Sequence, residues 1–360
     1  MSLAQPKRIL IIKLRHHGDV LLSTPVVDAL KTRFPDCEID MLVYAGTGQL
    51  IADNPQIAQI FTIDRNWKKL GVFKQLACEK NLFSKLKARD YDWAFNLSDQ
   101  WRAAVIAKLC ARCSVGFDCI KRDGFWWRFC HDFINHELDT SHHIVENQLN
   151  ILAPLIQPED VADAKVRLWV AQDARESMRQ KLREQGWNGE DYVLLHPGAR
   201  WHFKCWEDGK NAAIVQLLLN SGQNVVLTAS PDSVEQYMLQ EIIGRLNIPE
   251  GRKVYVLSGC LSLRELAAAI EGAKLFVGVD SAPMHIAAAL DKPQIALFGA
   301  SWVDKWRPYS EQAEVIYAGD YAKLPHPDSI DTNDPTRLLK AIPLQDVWDK
   351  ISAKLEALEA

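Results

Sequence analysis

The 360-residue sequence has no apolar run long enough to cross a bilayer, which takes about 20 residues in a helix. Its early run Ile9-Leu10-Ile11-Ile12 leads into His16-His17-Gly18-Asp19 and not into a small-residue cleavage site, so a cytoplasmic protein is expected. Nor is there a surplus of one charge. A net charge of −4, with 24% charged and 48% hydrophobic residues, describes a water-soluble globular chain with no overall attraction to nucleic acid. Any basic partner surface must therefore be local. No Gly-x-Gly-x-x-Gly follows an apolar strand pattern, which disfavours dinucleotide binding, and no Gly-x-x-x-x-Gly-Lys-Ser/Thr loop is present to cradle ATP. The eight cysteines, without a secretory signal, read as reduced thiols. Cys110, Cys113, Cys119 and Cys130-His131 offer zinc-type ligands but lack the paired Cys-x-x-Cys knuckles of structural sites. The plain alternative is that Cys110 and Cys113 pack as small apolar residues on a helix from Trp101 to Cys113.

What the chain does have is alternation. Arg8 to Leu14 reads as a strand, followed by a glycine turn and a helix from Val20 to Phe34 that Pro25 kinks or tightens. Strands at Glu38 to Val43, Ile60 to Ile63 and Trp93 to Leu97 follow, with a helix after Gly46-Thr47-Gly48 and a helical pattern over Arg65 to Arg89. The second half repeats the logic with strands at Tyr192 to Leu195, Val225 to Thr228, Val254 to Leu257, Leu275 to Val279 and Ile295 to Phe298. Helices are expected at Asn211 to Asn220, Leu263 to Gly272, Met284 to Leu290 and Leu344 to Glu359. Such alternation means α/β architecture with parallel sheets covered on both faces, here two facing Rossmann-like domains. The expected division is 1–170, 171–342 and a terminal helix, 343–360, that packs back across the interface onto the first domain.

The stretch Val277 to Leu290 is the most informative. A valine-rich strand ends at Asp280, and Ser281-Ala282-Pro283 opens an alanine-rich helix. Free amides and the helix dipole at such a start favour a phosphate. The alternative is an ordinary corner with Asp280 as a cap. Asp90-Tyr91-Asp92 imitates a metal motif but stands before a strand, the wrong end of a parallel sheet for a ligand, and reads as a turn cap. Between Arg65 and Arg89 there are eight basic residues and one acidic, Glu79, interleaved with Trp67, Phe73 and Phe83. They suit either an anionic surface or a solvated amphipathic helix with Leu76, Phe83 and Leu86 facing the core.

Taken together, Arg8-Ile9-Leu10-Ile11-Ile12-Lys13-Leu14 with His17-Gly18-Asp19-Val20-Leu21, Lys204-Cys205-Trp206, Val279-Asp280-Ser281-Ala282-Pro283-Met284-His285 and Phe298-Gly299-Ala300-Ser301 resemble the ADP-heptose:lipopolysaccharide heptosyltransferases, most of all the type III members. The resemblance implies a GT-B fold and an inverting transfer from ADP-heptose to a phosphorylated lipid A-core oligosaccharide, with the branching heptose of the inner core as product. No cofactor and no metal are expected. It also implies peripheral attachment to the cytoplasmic face of the inner membrane. Asp19 is the candidate base and Lys204 the counter-charge for departing ADP, both counted as catalytic. Asp280, Ser281, Ala282, Pro283, His285 and Leu261 are assigned to the donor, and Arg15, His17, Lys68 and Lys69 to the acceptor. Arg15-His16-His17 replace the Ser-Ser-Met frequent before Gly-Asp in the family, adding positive charge near the acceptor. Ser-Ala-Pro after Asp280 replaces the Thr-Gly-Leu of type I. The competing readings are another GT-B enzyme or epimerase with a different sugar nucleotide, and a non-catalytic nucleotide-sugar-binding protein in which Asp19 only caps a helix.

Overall fold

The structure, a computed structural model, describes residues 5–118, 122, 124–135, 141–161, 163–332 and 334–359. It consists of two compact units, Met1–Trp169 and Val170–Ala360.

In the first unit β1 (Arg8–Lys13) is followed by α1 (His17–Leu21), α2 (Thr24–Arg33), β2 (Glu38–Tyr44), β3 (Gln59–Ile63) and α3 (Val72–Lys87). Then come β4 (Tyr91–Asn96), α4 (Trp101–Cys110), β5 (Ala111–Phe117), α5 (Phe125–Phe129), β6 (Phe133–Asn135) and α6 (Ile144–Asn150). The six parallel strands lie in the order β3-β2-β1-β4-β5-β6. Central β1 carries four consecutive fully buried residues, Ile9 to Ile12, because helices cover both faces of a parallel sheet.

The second unit runs α7 (Gln172–Arg183), β7 (Tyr192–His196), α8 (Asp208–Asn220), β8 (Asn224–Ala229), α9 (Ser233–Ile243) and β9 (Val254–Ser258). It continues with α10 (Leu263–Glu271), β10 (Leu275–Val279), α11 (Ala282–Ala289), β11 (Gln294–Phe298), α12 (Val303–Trp306), β12 (Ala313–Tyr317) and α13 (Leu344–Glu359). Its parallel strands follow β12-β11-β10-β7-β8-β9. Both sheets therefore wind outward from a first strand and restart on its other side. That creates a topological switch point between β1 and β4, and another between β7 and β10, where open α/β sheets take up ligands.

Several local expectations are corrected. The single helix over Val20 to Phe34 is two helices, because Pro25 stands in the first turn of α2, where its missing N–H costs nothing. A five-residue 3₁₀ turn, Thr47–Ile51, replaces the helix after Gly46. The basic stretch divides into a 3₁₀ turn, Arg65–Lys69, and α3, with Gly71 at φ 79° between them, a left-handed value suited to glycine. On α3 Leu86 is buried and Phe83 packs against the core as expected, with Leu82 beside them, whereas Leu76 is 58% exposed. α4 stops at Cys110 and the chain passes directly into β5, which puts Cys113 on a strand. Burial pushes the thiols of Cys110 and Cys113 up to about 11. His131 uses both ring nitrogens, on Asn96 at 3.1 Å and on the Trp127 carbonyl at 3.0 Å. Cys119 lies outside the described residues. Among the described residues no three His, Cys, Asp or Glu side chains converge as a metal cage. The terminal helix α13 buries Val347, Ile351 and Leu355 in the core of the second unit.

Candidate active site

In the second unit the site is built on the carboxyl ends of three adjacent strands. β7 runs into His196-Pro197-Gly198 and a 3₁₀ turn, His202–Lys204; β10 ends beside Asp280; β11 runs into Gly299-Ala300-Ser301. Strand adjacency brings the three loops together. Lys204 Nζ donates to Asp280 Oδ2 at 2.5 Å, and Ser301 Oγ donates to the same oxygen at 2.6 Å. The side chains of Lys204 and Asp280 are only 15% and 7% exposed, so the pair is screened little by solvent. The ammonium also lies 5.1 Å from the Trp201 ring centroid, within cation–π range.

α11 starts beside this pair. Ser281 precedes it in an extended conformation without a side-chain cap, its hydroxyl donating to the Val279 carbonyl at 3.2 Å. Pro283 has no N–H, and the Met284 N–H is used on the Ser281 carbonyl at 3.2 Å. The amides available to an anion are thus those of Ser281 and Ala282, narrower than the sequence suggests. His285 is buried inside the helix, and Leu261 lies half-buried in the loop after β9.

Sequence reasoning missed Glu235. The residue is 7% exposed, and its carboxylate accepts the Ser230 N–H at 2.9 Å and lies 3.7 Å from His196 Nε2. Burial lowers the His196 pKa against the pull of Glu235 and favours the neutral ring, whose Nδ1 meets Thr228 Oγ1 at 2.8 Å. A Cβ on Gly198 would come within 2.5 Å of that carboxylate, so glycine there leaves it room. The glycine turn was legible; the acid beneath it, on α9, was not.

In the first unit the corresponding edge carries Asp19, in α1 just beyond β1. The N-cap of α1 is His16; Asp19 stands at the third helical position and reaches back, its Oδ2 accepting the His16 N–H at 3.3 Å in a capping box, while Oδ1 has no protein partner among the described residues. Arg15 donates to Asp99 at 3.0 Å across the switch point. His17 does not add the expected positive charge. Burial, helped by His16 and Arg65, lowers its pKa and keeps it neutral at pH 7, and its buried Nδ1 has no hydrogen-bond partner. The cations at this edge include three that were not assigned from sequence. Lys13 is 4% exposed and donates to the Leu97 carbonyl at 3.2 Å; Arg65 stacks on Tyr44; Arg122 donates to the Asp99 carbonyl at 2.9 Å. A lysine directly after four consecutive apolar residues, at the carboxyl end of β1, was the available signal for Lys13. Arg122 follows β5, a strand that was not anticipated. Lys68 and Lys69 are exposed on the 3₁₀ turn after β3.

The fold is that of the GT-B glycosyltransferases. A glycosyltransferase family 9 structure from Veillonella parvula superposes with a TM-score of 0.83, covering 99% of this chain and 99% of that one at 21% identity. The Escherichia coli ADP-heptose heptosyltransferase II structure gives 0.75, covering 98% and 100% at 22% identity. The chain belongs to glycosyltransferase family 9, the heptosyltransferases, whose profile matches residues 80–336. It is 37% identical to an Escherichia coli lipopolysaccharide heptosyltransferase 3 over 335 residues, 93% of this chain and 95% of the relative. It is a glycosyltransferase.

Proposed function

We propose that the enzyme transfers L-glycero-D-manno-heptose from ADP-heptose to the inner core of lipopolysaccharide, adding the branching heptose to the second core heptose with inversion. The observation that carries the donor half is the Lys204–Asp280–Ser301 cluster beside the two available amides of α11. As the anomeric carbon–oxygen bond breaks, charge accumulates on the departing diphosphate. Lys204 and the Ser281 and Ala282 amides meet it as pre-placed donors. Asp280 keeps Oδ1 for a sugar hydroxyl while Oδ2 holds Lys204. Pro283 fixes the helix start without competing for the anion, and His285 and Leu261 border the donor pocket.

Asp19 takes the proton of the acceptor hydroxyl on its uncommitted Oδ1 as that oxygen attacks the anomeric carbon. Arg15 pairs with acceptor phosphate, Lys68 and Lys69 add field, and neutral His17 contributes a hydrogen bond instead of charge. Support for the sugar and acceptor comes from the relative named for lipopolysaccharide heptose transfer and the solved structure named for ADP-heptose. The test is Asp19→Asn. Asparagine keeps an oxygen that can accept the His16 N–H, so the fold should be kept. Turnover should fall on the order of a hundred- to ten-thousandfold while ADP binding by calorimetry stays unchanged. A near-normal rate would leave Asp19 with a capping role only and remove its assignment as the base, whereas absence of transfer by the unaltered enzyme would favour the nucleotide-sugar-binding alternative. Calorimetric ranking of ADP against UDP and GDP addresses a different donor.

Peripheral attachment to the cytoplasmic face of the inner membrane is part of the same reading. It is favoured by Val72, Phe73 and Leu76 of α3, 70%, 89% and 58% exposed, beside exposed Lys68, Lys69 and Lys74. Apolar side chains rimmed by cations suit an anionic lipid surface. Among the described residues no helix is long and apolar enough to cross a membrane.

A further inference from the structure

Lys204 stands on a short turn whose position is set from far away in the chain. Arg337 places four N–H donors on that turn's surroundings. Nε donates to His202 Nε2 at 2.9 Å, Nη1 to the Trp206 carbonyl at 2.8 Å and to Asp208 Oδ1 at 2.6 Å, and Nη2 to Asp208 Oδ2 at 2.9 Å. The guanidinium is 18% exposed and its carboxylate partner 22%, so the fork is shielded as well as bidentate. Its anchor points fall two residues before Lys204 and two and four residues after it. The backbone of Lys204 is therefore held from both sides by one rigid planar group, and a displacement of the turn breaks several bonds at once.

The same segment reaches the other partner of Asp280. Leu339, two residues past Arg337 and fully buried, packs under Gly299, where an added Cβ would meet Leu339 Cδ1 at 2.9 Å. Gly299 in turn accepts the N–H of Ser301 at 2.9 Å, and Ser301 is the second donor to Asp280. Lys210 ties the far end by donating to the carbonyls of Lys340 and Ile342 at 2.6 and 3.0 Å. Arg337 itself lies one residue beyond the stretch matched to the family profile.

We infer that Arg337 is a positioning residue for the transfer reaction: through His202, Trp206 and Asp208 it fixes where Lys204 stands relative to Asp280, while Leu339 of the same turn supports Ser301. The inference rests on the reading of Lys204 as the counter-charge for the leaving group. A charged donor misplaced by an ångström loses on the order of a hundredfold in rate.

The test compares Arg337→Ala, Arg337→Lys, Asp208→Asn, Lys204→Ala and the Arg337→Ala/Lys204→Ala double variant of the full-length enzyme, with kcat, KM for acceptor and melting temperature measured on each. Arg337→Ala should lower kcat on the order of a hundredfold, with KM for acceptor within about twofold. Arg337→Lys, which keeps the charge and part of the bonding, should recover a measurable share. On a Lys204→Ala background the loss of Arg337 should add less than about twofold, since the two act through one group. Multiplicative effects in the double variant, or a folded Arg337→Ala enzyme with normal kcat, would overturn the proposal. Should Arg337→Ala not fold, Arg337→Lys and Asp208→Asn carry the same expectation of reduced kcat at unchanged acceptor KM, and normal rates in both would overturn it. Normal transfer by Lys204→Ala would overturn the underlying reading of the lysine instead, whatever Arg337 does.

Discussion

Replacing Lys204 by methionine keeps the length of the side chain and removes its charge, leaving Asp280 with Ser301 alone. Breaking a buried pair by deleting one partner costs about 3–5 kcal/mol, and exposures of 15% and 7% put this pair near about 3. For a unit of this size that corresponds to a fall in melting temperature of about 6–12 °C. The loss comes from the orphaned carboxylate, so Lys204→Met/Asp280→Asn should regain most of it, because the amide oxygen still accepts from Ser301 without carrying charge. Turnover behaves differently. Loss of a pre-placed donor to the leaving group costs on the order of a hundred- to a thousandfold, and no neutralisation of Asp280 replaces it. Calorimetric melts and a transfer assay with ADP-heptose and core-truncated lipopolysaccharide follow the two quantities separately. If the double variant recovered its rate together with its melting temperature, Lys204 would be a structural counter-ion and the catalytic reasoning would fail.

Gly278→Ala places a methyl 2.7 Å from the Phe276 ring and 3.2 Å from the His196 carbonyl, in the strand that carries Asp280. A destabilisation of about 1–3 kcal/mol is expected in denaturant titration, and a neutral result would mean that β10 shifts freely. Glu265 is 13% exposed; burial opposes its ionisation, but Lys181, Ser177 and Ser262 outweigh it and lower its pKa from 4.5 to about 2. Its contribution is therefore complete above pH 4.5 and is lost as pH falls toward 2, so Glu265→Gln should flatten the stability-against-pH curve in that window. An unchanged slope would assign the acid sensitivity to other carboxylates. Reversing Lys68, Lys69 and Lys74 to glutamate should abolish sedimentation with vesicles containing anionic lipid and weaken its salt dependence. Binding indifferent to both would remove the membrane reading.

The strands were legible because parallel sheets buried on both faces demand continuous apolar runs, and β1, β10 and β11 supply them. β5 was not. Its sequence Ala-Arg-Cys-Ser-Val-Gly-Phe begins without any turn residue after α4, and its fully buried Ser114 is made tolerable by Asp132, 18 positions away, at 2.8 Å. Pro25 was visible, yet whether a proline kinks a helix or starts a new one depends on where the preceding turn ends. Asp280 and Lys204 were each legible from their motifs, but their pairing arises from the adjacency of β7 and β10, and a linear motif does not carry that. Arg337 shows the limit most plainly: its partners lie 129 to 135 positions away, and its own surroundings are turn residues without a periodic signal.

The contacts of this chain segregate into Met1–Trp169 and Val170–Ala360, and even α13 stays with the half that precedes it. Each half closes its own sheet and fills its own interior, so the polypeptide needs to pass from one to the other only once. That single passage lies near Trp169. A substitution inside one half is therefore felt first by that half's own interior, and melting of the two halves can be followed as separate events.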